Sequence, residues 1–300
     1  MWVVIVIFSA VFLGIYDVFK KLSLTHNAVL PVMLISSGTS LLFFIPGIIL
    51  STWYPNVVEQ TIFFVPFSGS KVQFLIFLKS CIVQASWVFS FFALKHLPIS
   101  IVSPIRSSGP MWTLLGAIFI LGETLSVMQW GGVVLIIACL YAYSLAGRKE
   151  GIHFRNNIWI ACIFAGTILG SISALYDKYL LATCGIHKME IQAWFSVYQF
   201  LLMIPFVLLV WYPNRTKTDA FSWRWTIPLI GVFLVLADFF YFYALSIPGA
   251  LISVVSIIRR SGVIISFLSG VIIFKEHNGK TKAFLLAGVL VGVYILYINR

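Results

Sequence analysis

Charge is what this 300-residue chain has least of: 10% of its residues are charged against 61% hydrophobic, with a mean hydropathy of +1.03. A soluble domain of this length needs about a quarter of its residues charged to clothe its surface, so a water-soluble globule is excluded. An all-α integral membrane protein is expected instead. Acids are scarcer still, nine Asp and Glu against twenty Lys and Arg. The resulting net charge of +11 does not point to nucleic acid, because the basic residues fall in short connections between apolar runs and form no aromatic-interleaved basic face. Cys81, Cys139 and Cys162 lie in apolar runs and Cys184 near the end of one, with no CxxC or Cys/His spacing, so neither disulfides nor a metal site is expected. The patterns HExxH, GxSxG and GxxxxGK[ST] are absent, and with them the sequence grounds for a hydrolase or for direct use of ATP. No catalytic residue and no cofactor is expected. The N-terminus has no basic n-region and no small-residue cleavage site, so the first apolar run reads as a retained helix.

Long apolar runs are what the chain has. Ten stretches approach the roughly 20 residues needed to cross a bilayer as a helix: 2–21, 30–52, 73–94, 99–121, 126–146, 157–180, 191–211, 226–245, 249–274 and 281–298. The connection at 147–156 is the most polar between them and divides the chain into 1–146 and 157–300, five runs each.

The two parts repeat one another. Ser103-Pro104-Ile105-Arg106-Ser107-Ser108-Gly109 answers Ser256-Ile257-Ile258-Arg259-Arg260-Ser261-Gly262, and Glu123 answers Glu276, both at an offset of 153 residues. Tyr16-Asp17 answers Tyr176-Asp177, and Phe92-Ala93-Leu94 answers Tyr243-Ala244-Leu245. Because each part holds an odd number of runs, the second must enter the membrane reversed. The expected fold is therefore ten transmembrane helices in two inverted five-helix repeats, an arrangement found in many secondary transporters.

Lys and Arg counted by face set the orientation. Twelve fall on the face carrying the 147–156 connection and four on the face carrying both termini, which predicts the first face to be cytoplasmic. The remaining four, Lys79, Arg106, Arg259 and Arg260, lie inside runs.

These features together resemble the drug/metabolite transporter superfamily, and within it the ten-span EamA type. The resemblance covers nearly the whole chain: two five-run repeats, each with a Ser- and Pro-containing fourth run that leads into an acidic turn, Leu121-Gly122-Glu123-Thr124 in one and Phe274-Lys275-Glu276-His277 in the other. It implies export or import of a small metabolite driven by a proton or substrate gradient, in a multi-pass protein of the bacterial cytoplasmic membrane. Two departures stand out. A Trp-Gly pair common in the family's first helix is replaced here by Leu13-Gly14-Ile15-Tyr16-Asp17, and the termini counted above as extracytoplasmic are usually cytoplasmic in the family.

A charge kept inside hydrocarbon costs at least ~2.5–3.5 kcal/mol on insertion scales, so the intramembrane charges are the first candidates for function. Asp17 with Lys20 and Lys21 shares one helical face, within reach of Arg106, either as a snorkelling ion-pair cluster or as a gate or anion site. Ser107, which follows Arg106, is a further candidate for substrate contact or gating. The second part supplies Asp177, Arg259 and Arg260, together with Asp238, whose counterpart by alignment is Trp87. A carboxylate present in one half only makes Asp238 the candidate for proton coupling; its alternative is a fixed partner for Arg259 or Arg260. Gln84 and Trp87 are candidates for substrate contact, and Glu123 and Glu276 are read as structural helix-end acids. Four intramembrane cations against three acids tilt the substrate toward an anionic or zwitterionic metabolite. A flippase for lipid or lipid-linked substrate is the alternative, with a membrane-embedded enzyme behind it. The expected partners are the small-molecule substrate and the lipid bilayer; a monomer is expected, with a homodimer as the alternative.

Overall fold

A computed structural model describes residues 2–59, 61, 63–121, 126–148, 151–245 and 258–298, and these form helices and connections with no strand among them. In chain order the helices are α1 (Trp2–Leu24), α2 (Val29–Trp53), the single turn α3 (Pro55–Val58), α4 (Ser70–His96), α5 (Ile99–Ser107), α6 (Gly109–Leu121), α7 (Val127–Arg148), α8 (Ile158–Lys178), α9 (Lys188–Pro205), α10 (Thr226–Leu245), α11 (Gly262–Ile272) and α12 (Gly279–Ile298). π-helical turns extend α8 through Tyr179–Thr183 and α9 through Phe206–Trp211. Seven helices among the described residues are long and apolar enough to cross a membrane.

Polarity is arranged opposite to that of a soluble bundle. Leu42, Trp53, Phe74, Val127 and Phe284 face outward, while Asp17, Lys20, Glu190 and Lys282 and many serines are buried. Only an apolar solvent rewards that distribution, because side chains facing lipid need no polar group and inward polar groups find protein partners. The chain is a multi-pass integral membrane protein, all-helical among its described residues.

One sequence expectation needs correction. The run 99–121 is not a continuous helix but two, α5 and α6, separated at Ser108. Pro110 has no N–H to donate to the carbonyl of Arg106, and the backbone turns tightly there, with the Met111 N–H on the Ser108 carbonyl at 2.9 Å. Of the run 249–274, the part before residue 258 lies outside the described residues.

The principal packings join helices from 2–148 to helices from 158–298. α1 lies against α10, α4 against α8, α2 against α9, α7 against α12 and α5 against α11. Close backbone approach makes the α7–α12 contact possible: a Cβ added at Gly132 would stand 3.0 Å from the carbonyl oxygen of Gly292. The small-residue patterns at Gly166–Gly170 and Gly288–Gly292 serve this internal packing, since a Cβ at Gly166 would meet the Ser90 hydroxyl and one at Gly288 the Cys139 thiol.

Candidate functional site

Two layers of charge sit at different depths in the bundle. In the first, near the end of α1 that leads into α2, the Arg106 guanidinium donates to Asp17 Oδ1 at 2.5 Å, and Lys20 Nζ lies 3.7 Å from the same oxygen. The break at Ser108 falls two residues beyond Arg106. Lys20 is 2% exposed, and its ammonium sits 4.2 Å from the Phe91 ring centroid and 4.7 Å from that of Tyr16. Aromatic faces thus replace part of the water this cation lost. The neighbouring Lys21 turns elsewhere, donating to the carbonyls of Leu94 and Leu97 at the C-terminus of α4.

The second layer holds two ion pairs. Lys79 Nζ lies 2.7 Å from Asp177 Oδ1, and Arg259 pairs with Asp238 while its guanidinium stacks 4.2 Å from the Tyr241 ring. The repeat would have matched Asp177 with Arg259, as Asp17 matches Arg106. Asp177 instead pairs across the repeat boundary with Lys79 of α4, and Arg259 pairs within its own half with Asp238 of α10.

Each layer borders a cavity. The larger, about 430 Å³, is lined by Lys79, Val83 and Trp87 of α4, by Ser173 and Asp177 of α8, and by Gln192, Asp238, Arg259 and Arg260 among others. The smaller, about 180 Å³, is lined by Ser86, Trp87 and Ser90 of α4, by Gly166, Thr167 and Ser171 of α8, and by Lys20, Arg106 and Arg260. Residues earlier in α4 and later in α8 line the larger cavity; the reverse holds for the smaller. The two are therefore stacked along the axis of an antiparallel helix pair, with Lys79 and Ser90 separated by ~16 Å of helical rise. Trp87 and Arg260 line both.

Of the residues singled out from the sequence, Lys20, Trp87, Arg106, Asp177, Asp238, Arg259 and Arg260 line these cavities, and Asp17 stands behind Arg106. Gln84 and Ser107 do not. The Gln84 Nε2 donates to Met203 Sδ while its Oε1 is buried without a partner, and the Ser107 hydroxyl donates to the Pro104 carbonyl one turn back. Glu276 accepts the backbone N–H groups of Ile99 and Ser100 at 2.8 and 2.9 Å, holding the first turn of α5 from a distant connection. Glu123 lies outside the described residues. Sequence reasoning missed Lys79 as the partner of Asp177, and it missed Gln192 and Tyr241 altogether; nothing local in the sequence marks them. Gln192 Nε2 and Arg259 Nε are buried donors with no protein acceptor. Among the described residues no group of three His, Cys, Asp or Glu side chains converges to hold a metal ion.

Residues 1–145 match the model of the EamA-like transporter family. A solved crystal structure of a protein is similar over 99% of this chain and 97% of its own length, with a TM-score of 0.59 and 15% identity, a likeness that shows the fold alone. No curated protein matches the chain by sequence.

Proposed function

We propose that this chain is an EamA-type secondary active transporter that moves a small anionic or zwitterionic metabolite by alternating access. The observation that carries the reading is the pair of stacked cavities meeting at Trp87 and Arg260, each bordered by an intramembrane ion-pair layer. Ion pairs inside a membrane protein contribute little to stability relative to apolar packing, so three carboxylates and their cations placed along one internal path are better accounted for by what passes there. The buried donors of Gln192 and Arg259 favour a substrate with an anionic oxygen, while Asp177 and Asp238 offer acceptors for an ammonium group.

Ten spans in two inverted repeats form part of this proposal. Exchanging the halves turns the α1–α10 packing into α8–α4 and returns α2–α9, α7–α12 and α5–α11 to themselves, as an inverted repeat requires. The family match also ends at residue 145, next to the polar 147–156 connection.

The test is uptake into proteoliposomes of purified protein, using a panel of small organic anions and zwitterions chosen by comparing metabolite pools in cells with and without the protein. Accumulation of at least one compound that is lost in Arg106→Leu and Arg259→Leu, both well folded, is the expected result. Unassisted and assisted vesicles taking up every compound at one rate would overturn it.

A further inference from the structure

Beyond each end of the cavity stack a side-chain clamp joins the two halves, and the two clamps occupy matching places in the repeats. At the end where α1 leads into α2, Asn27 is fully buried. Its Oδ1 accepts the Ser222 N–H at 2.9 Å and its Nδ2 donates to the Ser222 carbonyl at 2.8 Å. The hydroxyls of Ser23 and Thr226, 2.7 Å apart, and Arg224, which donates to the Leu22 carbonyl, reinforce the same junction. At the opposite end Glu190 is fully buried; its Oε1 accepts the Ser68 N–H at 2.7 Å and the Gln73 amide at 3.2 Å, and its Oε2 accepts the Ser68 hydroxyl at 2.7 Å.

Asn27 precedes α2 and Glu190 lies in the first turn of α9, the corresponding helices of the two halves. Ser68 precedes α4 and Ser222 precedes α10, again corresponding helices. In both places a buried side chain at the start of one half's second helix grips the backbone of a serine in the other half's connection into its third. A buried side chain held to a segment of the opposite half by two or three hydrogen bonds fixes the distance between them.

We infer that Asn27 with Ser222, and Glu190 with Ser68, are the two gates of the transporter, and that opening toward either face breaks one clamp while the other stays closed. This rests on the transport reading above and adds to it the residues that select the open face. Both clamps are formed in this structure. The chemistry also differs between ends: a carboxylate holds one gate and an amide the other, so the end held by Glu190 carries charge-assisted, stronger bonds.

The experiment reads gating without any substrate. In full-length protein with Cys81, Cys139, Cys162 and Cys184 replaced by Ser, a single reporter cysteine is placed in the larger cavity by Ser173→Cys or in the smaller by Ser90→Cys. Labelling by a membrane-impermeant maleimide is timed in proteoliposomes from each side. Glu190→Ala should speed labelling at the Ser173 position about tenfold from its own face and slow it at the Ser90 position; Asn27→Ala should do the reverse. Ser68→Ala, at an exposed position, and Thr226→Val each remove one hydroxyl bond and should give the same opposed pattern at a few fold, which guards against misfolding of the buried-site variants. Faster labelling at both reporters in every variant, or no change in any, overturns the inference. Failure of uptake with the opposed labelling intact would instead count against the transport reading alone.

Discussion

At the scale of single residues, the pairing of Asp238 with Arg259 sets up a discriminating substitution. Asn keeps the shape and one acceptor of Asp but cannot carry charge or exchange a proton. If a proton and Arg259 compete for this carboxylate during transport, Asp238→Asn should abolish gradient-driven accumulation and leave counterflow exchange of labelled substrate largely intact. Retained accumulation with an unchanged pH dependence would remove Asp238 from coupling. Trp87 makes a second case. Its ring lines both cavities and meets Phe195 edge-on at 6.1 Å, so Trp87→Ala should join the two spaces and lower transport at least tenfold, with little change in the thermal midpoint in detergent. A large loss of stability with normal transport per folded molecule would make Trp87 a packing residue. The pairing of Asp17 with Arg106 was within reach of sequence, since both lie near the same membrane face and the repeat drew attention to each. The pairing of Lys79 with Asp177 was not: the two are 98 positions apart in chain order and become neighbours only because α4 packs on α8, a choice made by the shapes of whole helix faces.

At the scale of elements, the turn between α4 and α5 shows how a broken fourth run is held. Lys21 satisfies the last carbonyls of α4, Glu276 the first N–H groups of α5, and the fully buried Lys282 donates to Ser100 Oγ at 3.0 Å. Removing a cap of this kind costs ~1–2 kcal/mol, so Glu276→Ala should lower the thermal midpoint in detergent by several degrees, whereas Lys280→Ala should not. An equal effect of the two would deny Glu276 its capping role. The helices themselves were legible because apolar runs of bilayer length have few alternatives, but the end of α5 depended on which proline acts as a breaker: Pro46 and Pro205 are accommodated within α2 and α9, and Pro110 is not. The connection before α10 yields a prediction about pH. Lys95 Nζ lies 2.5 Å from Asp219 Oδ2, and that bond holds the Asp219 carboxyl below its ordinary 3.8. A depressed carboxyl contributes stability above its unfolded value and loses it as pH falls through the folded one, which places the effect below about pH 4. Since Asp219 is largely exposed, the contribution is small. Asp219→Asn should therefore leave the transport profile between pH 5 and 8 unchanged, and a shift there would assign the Lys95–Asp219 pair a role in coupling.

At the scale of the whole molecule, the proposed inverted repeat would leave the choice of cytoplasmic face to the distribution of Lys and Arg. An inverted repeat presents nearly the same structure to both sides of the membrane, so packing alone gives the insertion machinery no direction; the charge bias must supply it. Twelve Lys and Arg on the face of the 147–156 connection against four on the face of the termini predict that connection to be cytoplasmic, the reverse of what the family resemblance implies for the termini. Asn156 is exposed on the first face, and Glu59 is exposed on the second. In the cysteine-replaced protein expressed in intact cells, Glu59→Cys should react with an impermeant maleimide before lysis and Asn156→Cys only after it. The opposite order would restore cytoplasmic termini and show that Lys20, Lys21 and Lys282 do not act as topology signals. Lys20 and Lys282 are buried, and Lys21 is committed to helix carbonyls, so these three have structural reasons to lie where they do. Subtracting them still leaves nine against four, and the predicted order stands on that remaining bias.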